Sequence, residues 1–258
     1  MARYKLTIEY DGSQYKGWQM LKNEPTIQGK LVEISSKILN TPHVEVYGAG
    51  RTDAGVHALG QVAHVDAQTT VSSEFFLQQL QAYLPSNISV QSIELVHDRF
   101  HARHHARYRS YIYCISKQRT ALFKRYVWWV QQYLNSEQMM QAAELFKGFH
   151  DFSSFAKTTK KDESTTVEIT HLQIHQVNNC LWIHIVGSHF LWSMVRRIVG
   201  VLVEAGKGTV TQQQITQMLT QYSDFPAQHT APASGLFLER VYYDNEIIDK
   251  SPLFPFTI

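Results

Sequence analysis

The chain has 258 residues, 44% of them hydrophobic and 18% charged, with 24 Lys and Arg against 22 Asp and Glu for a net charge of +2. That length can bury a sizeable core, and the composition excludes disordered and fibrous classes. The opening MARYKLTIEYDG has no apolar leader segment, no stretch approaches the roughly 18 apolar residues of a membrane span, and two cysteines cannot build a disulfide framework, so a soluble cytoplasmic protein with Cys114 and Cys180 reduced in its core is expected.

Tyr4, Leu6, Ile8 and Tyr10 alternate with polar residues, the period of a half-buried strand, and Asp11-Gly12 ends it with turn chemistry. After Pro25-Thr26, the spacing of Ile27, Leu31, Ile34 and Ile38 predicts a helix, and Val44 and Val46 resume the alternation. GAGRTDAGVHALGQVAHVDA follows over 48–67, glycine-rich and then alternating. Ser72-Ser73 can cap a second helix carrying Phe76, Leu77, Leu80 and Leu84, and Ile88 to Val96 reads as a strand. The second half begins with strands at Tyr111 to Ile115 and Tyr126 to Val130, then a helix from Ser136 to Lys147 that Gly148 can terminate. A strand pair joins through Asn178-Asn179, a strongly apolar helix spans roughly 190 to 205, a short one lies near 211 to 220, and Leu236 to Tyr243 closes as a strand. The expected fold is α+β, two sheet-and-helix halves of mainly antiparallel strands, 1–105 and 106–258.

The net charge is too small to announce a polyanion partner, but the positive charge is clustered. His101, Arg103, His104, His105, Arg107 and Arg109 lie close in sequence, and Lys117, Arg119, Lys124, Arg125, Lys157, Lys160 and Lys161 follow downstream. They read either as a solvated face or as a phosphate-binding surface. Arg51 and Asp53, two apart, are local partners, and the aspartate either shapes a turn or does chemistry. The helix FLWSMVRRIVGVLVEAG is apolar nearly all round yet carries Arg196 and Arg197, which either meet a partner or snorkel to the surface. Tyr111, just after the basic cluster, is an ordinary strand tyrosine or a stacking face for an unpaired base. The three clustered histidines lack companion ligands at metal-binding spacing, and no phosphate loop or dinucleotide fingerprint occurs, so neither a metal nor another cofactor is expected.

GRTDAGVHALGQVAH resembles the catalytic motif of the TruA family of tRNA pseudouridine synthases. YDGSQYKGWQ, PTIQGKL, FHAR, the tyrosine-rich strand at 108 to 113, HDFSSF, MVRRIVG and SGLFLERV resemble further family segments in family order, so the likeness runs over nearly the whole chain. The sequence departs from the pattern at Thr165-Thr166-Val167, which lacks an arginine often found there, and at Trp192-Ser193 before MVR. The resemblance implies a central cleft between the two halves, with Asp53 as the catalytic aspartate and Arg51 as the arginine associated with moving the target base. It places Tyr111 as the active-site tyrosine, Arg196 as the partner of the aspartate and Leu236 as an apolar pocket residue, while Arg103 and Arg107 of the basic cluster would hold RNA phosphates. It further implies uridine isomerisation at positions 38 to 40 of the tRNA anticodon arm by a homodimer, without a cofactor. Two rivals remain open on the residues alone: a noncatalytic RNA-binding protein, and a base-releasing glycosidase, for which Asp53 has no second carboxyl partner.

Overall fold

The computed structural model describes residues 1–157, 164–244 and 246–256. In chain order the elements are β1 (Ala2–Tyr10), α1 (Ile27–Ile38), β2 (Val44–Gly48), β3 (His57–Ala67), α2 (Ser73–Tyr83), β4 (Ile88–Val96), β5 (Tyr108–Ser116), β6 (Trp128–Trp129), α3 (Ser136–Glu144), β7 (Gly148–Asp151), β8 (Thr166–Val177), β9 (Cys180–Gly187), α4 (Met194–Lys207), α5 (Gln212–Met218), α6 (Phe225–Gln228) and β10 (Leu236–Tyr242). The fold is α+β with mainly antiparallel strands, and it divides into two compact units, 1–107 with 237–247, and 108–236 with 248–258.

In the first unit β1 lies between β3 and β4, antiparallel to both, and β2 pairs with the far part of β3. The returning strand β10 adds to β3 in parallel, Phe237 opposite His57 and Leu238 opposite Ala58. Tyr4, Leu6 and Ile8 are fully buried on one face of β1, where Tyr4 meets Phe76 of α2 with ring centroids 5.1 Å apart. Both helices start on side-chain caps, since Thr26 accepts from the Gly29 N–H and Ser72 from the Phe75 N–H.

The second unit carries antiparallel β5, β9, β8 and β7 in that order, with β6 alongside β5. Helices α3 and α4 pack together, and Ile198, Val199, Val201 and Leu202 of α4 are fully buried. Three differences from the periodicity stand out. The strand expected over Tyr126 to Val130 shrinks to Trp128–Trp129, which runs parallel to the end of β5, with the Val130 N–H adding one bond to the Ser116 carbonyl. The helix from Ser136 stops at Glu144, because the Leu145 N–H tightens onto the Ala142 carbonyl three residues back. The apolar helix begins only at Met194, since Ser193 has a left-handed backbone, φ 63°, which no α-helix can contain. Among the described residues no helix is long and apolar enough to cross a membrane.

Candidate active site

Asp53 stands half-buried on the loop between β2 and β3, with Arg51 exposed beside it and Thr52 buried between them. The composition of this loop suggests freedom, but its backbone is pinned to the segment YDGSQYKGW. The Trp18 N–H donates to the Thr52 carbonyl at 3.0 Å, the Gly55 N–H to the Tyr15 carbonyl at 3.3 Å, and Val56 N–H turns back to the Asp53 carbonyl at 3.1 Å. The buried hydroxyls of Tyr10 and Thr52 share a hydrogen bond of 2.8 Å, and the Gln61 amide holds the Gly50 carbonyl at 2.9 Å. Gly17 makes this approach possible. Its φ is +95°, and a Cβ there would stand 2.5 Å from the Thr52 carbonyl oxygen and 3.1 Å from the Asp53 carbonyl carbon. Gly48 likewise serves packing within the protein, as a Cβ would enter the ring of buried Trp18 at 2.5 Å. The first motif therefore acts as the clamp of the second, a role that its sequence alone did not disclose.

Next to this loop His57 is fully buried, accepts from the Gly12 N–H at 3.2 Å, lies 3.1 Å from the Asp11 carboxylate and stacks on Phe237. His64, further along β3, accepts from the Ala102 N–H, and burial pushes its pKa down to about 4. That bond fixes the turn 101–105, which also closes on itself, with the Arg103 and His104 N–H groups donating to His101 Nδ1. Arg103 is exposed on this turn. Arg107 is exposed too, and pairs with Asp244 at 2.6 Å, which holds the Asp244 carboxyl below its ordinary range. Lys160 and Lys161 of the expected basic surface lie outside the described residues.

In the second unit Tyr111 sits on β5 opposite Ile185 and is 7% exposed, with Phe190 edge-on to its ring at 5.1 Å. Phe190, in the loop between β9 and α4, was not indicated by periodicity. Neither arginine of α4 simply snorkels. Arg196 is half-buried and its Nε donates to the Ala231 carbonyl at 2.7 Å, while Ala231 N–H returns to the Arg196 carbonyl. Arg197 donates from Nη1 to the carbonyls of Ser154 and Ala156 at 3.1 and 2.7 Å, and burial lowers its pKa. The second arginine of MVRRIVG thus anchors the HDFSSF segment. Leu236, 6% exposed, opens β10.

No group of three or more His, Cys, Asp or Glu side chains among the described residues could hold a metal ion. The arrangement offers one half-buried carboxylate on a fixed backbone, with an exposed guanidinium two residues away.

Three comparisons relate the chain to known proteins. The chain is 39% identical to the "tRNA pseudouridine synthase A 2" of Bacillus cereus (strain ZK / E33L) over 246 residues, 94% of this chain and 100% of that protein. It is 39% identical to the "tRNA pseudouridine synthase A" of Blochmanniella pennsylvanica (strain BPEN), over 95% of each. Among solved structures it aligns with a chain of "Crystal Structure of a Cbf5-Nop10-Gar1 Complex" at a TM-score of 0.36 and 11% identity, covering 78% of this chain and 45% of that one. The sequence model of the family described as "tRNA pseudouridine synthase" matches residues 6–105 and 142–244, a span that includes the Asp53 loop, its YDGSQYKGW clamp and both arginines of α4. The chain therefore belongs to the tRNA pseudouridine synthases, a family of isomerases.

Proposed function

We propose that this enzyme converts uridine to pseudouridine at positions 38 to 40 of the tRNA anticodon stem-loop, with Asp53 as nucleophile acting on a base flipped out of its stack. The observation that carries the reading is the Asp53 loop itself: a carboxylate held half-buried on a backbone clamped by Trp18, Gly17 and Tyr15. A nucleophile of this kind must be presented in one position, and preorganisation by a rigid surrounding supplies that.

In the reaction Asp53 bonds transiently to the base or the sugar as the bond from N1 to the ribose breaks. The uracil turns and rejoins the ribose through C5, the C5 proton leaves and N1 gains one, so the product is an isomer of unchanged mass. No external group, oxidant or reductant is consumed. In this reading Arg51 fills the place vacated by the flipped base, and Tyr111 packs against the extruded uracil beside the apolar Leu236. Arg196 supplies the positive charge that keeps Asp53 ionised. Arg103 and Arg107 meet RNA phosphates, Arg107 with part of its charge already taken by Asp244. The enzyme works in the cytoplasm as a homodimer that reads one tRNA across both subunits.

Incubating the purified chain with unmodified tRNA and locating pseudouridine site by site tests this reading. Pseudouridine confined to positions 38 to 40 supports it. Free uracil would assign a glycosidase, and binding without any product a noncatalytic RNA-binding protein.

A further inference from the structure

The loop between β9 and α4 holds two aromatic side chains with different surroundings. Phe190 turns inward against Tyr111. Trp192 remains 48% exposed, although indole has a large apolar area to hide. It is nonetheless fixed in place. The Lys157 N–H donates to the Trp192 carbonyl at 2.9 Å, and the Lys157 ammonium stands 4.2 Å from the centroid of the indole. Ser193 follows in the left-handed backbone conformation, φ 63°, which costs a residue with a side chain roughly 1 to 2 kcal/mol. Such local strain persists only where its surroundings over-determine it. Those surroundings are visible: Arg197, one turn further on, ties the carbonyls of Ser154 and Ala156 to the same helix. The segment that bears Lys157 and the loop that bears Trp192 are thus bolted together from both sides.

The result is a half-exposed indole with one ammonium over a face of its ring, held on a fixed frame and on the same loop as Phe190, the edge-on neighbour of Tyr111, so that a base would stack on the face away from the ammonium. A base that stacks on indole while its phosphate meets an ammonium uses both features at once, and stacking needs no particular base. A solvated lysine and a stray surface tryptophan would need neither the backbone bond nor the strained turn.

We infer that Trp192 and Lys157 grip an unpaired nucleotide of the RNA other than the uridine being isomerised, Trp192 stacking on its base and Lys157 neutralising its phosphate. The inference rests on the reading of this chain as a tRNA-modifying enzyme and adds a contact that secures the RNA next to the reacting base. It concerns binding and not the chemical step, so the two are separable by experiment.

The test measures the Kd for an unmodified tRNA transcript, and the single-turnover rate of pseudouridine formation at saturating enzyme, for the whole chain and for Trp192→Ala, Trp192→Phe and Lys157→Met. One stacked base corresponds to roughly 5- to 150-fold in affinity. Trp192→Ala is expected to weaken binding by about 10-fold at an unchanged saturated rate, and Trp192→Phe to recover most of the loss. Lys157→Met should flatten the dependence of log Kd on log salt by about 0.7 to 0.9. Binding within twofold of wild type for Trp192→Ala, or Trp192→Phe as weak as Trp192→Ala, overturns the inference. The phenylalanine variant also guards against misfolding of the alanine one, and melting midpoints are read alongside. Wild-type enzyme that binds tRNA but makes no pseudouridine overturns the functional reading instead, and the affinities still decide whether Trp192 stacks.

Discussion

Adding a single methyl group at Gly17 should damage both stability and turnover, because the new Cβ would fall 2.5 Å from the carbonyl oxygen of Thr52 and 3.1 Å from the carbonyl carbon of Asp53. Two costs combine in Gly17→Ala. A side chain at φ +95° costs about 1 to 2 kcal/mol, and forcing a methyl into backbone atoms about 1 to 3 more, for roughly 2 to 5 kcal/mol together. Gly208→Ala separates the terms, since Gly208 also has a positive φ, +77°, but nothing lies within 4 Å of its Cβ position. Only the conformational cost applies there, and the gain from a stiffer unfolded chain is common to both variants. Urea denaturation should therefore show Gly17→Ala less stable than Gly208→Ala by about 1 to 3 kcal/mol. The displaced atoms are those that carry Asp53, and a shift of about 1 Å costs on the order of 100-fold in rate. Single-turnover pseudouridine formation should fall by about that factor in Gly17→Ala and hold in Gly208→Ala. Equal stabilities together with wild-type turnover in both would refute the clamp.

Arg196→Met and Arg197→Met should fail in different ways. The first removes the proposed counter-charge of Asp53 and moves the acidic limb of the rate profile to higher pH, whereas the second leaves two carbonyls without their donor and lowers stability by about 2 kcal/mol with the limb unmoved; an unshifted limb for Arg196→Met rejects the pair. Burial holds both His64 and His171 down to pKa values of about 4, so between about 4 and the ordinary 6.5 the unfolded chain binds protons that the folded one does not. Stability should accordingly fall as pH drops from 6.5 towards 4, by at most about 1.4 kcal/mol per pH unit for each group, and urea midpoints that stay level between pH 7 and 5 would contradict this. Replacing Arg103 should flatten the salt dependence of tRNA binding more than replacing Arg107, whose charge is shared with Asp244, and identical slopes would mean that the ion pair opens on binding.

Alternation and caps made most elements legible in the sequence. Strand β4 runs over Ile88–Val96 as its pattern indicates, and Thr26 and Ser72 cap α1 and α2. What escaped was decided by contacts distant in sequence. Hydrophobic period could not tell that Ser193 is left-handed, or that the strand in the apolar run over Tyr126 to Val130 is confined to Trp128–Trp129. At the site, the residue types at Arg51, Asp53 and Arg196 left a chemical and a structural role both open, and the glycines near them suggested freedom where the structure shows a clamp. Gly17 and Trp18 lie more than thirty residues before Asp53, and only the folded backbone shows that they hold its loop. Arg197 was equally opaque, since adjacent arginines on one helix look alike until their carbonyl partners are seen.

The central claim is that Asp53 is the nucleophile, and Asp53→Asn tests it most directly because the amide keeps the size of the side chain while being a poor nucleophile. The measurement is single-turnover formation of pseudouridine in unmodified tRNA at saturating enzyme, with affinity for the same tRNA determined in parallel. The expected result is no detectable pseudouridine with tRNA binding and folding close to wild type. Turnover by Asp53→Asn comparable to wild type would contradict the account.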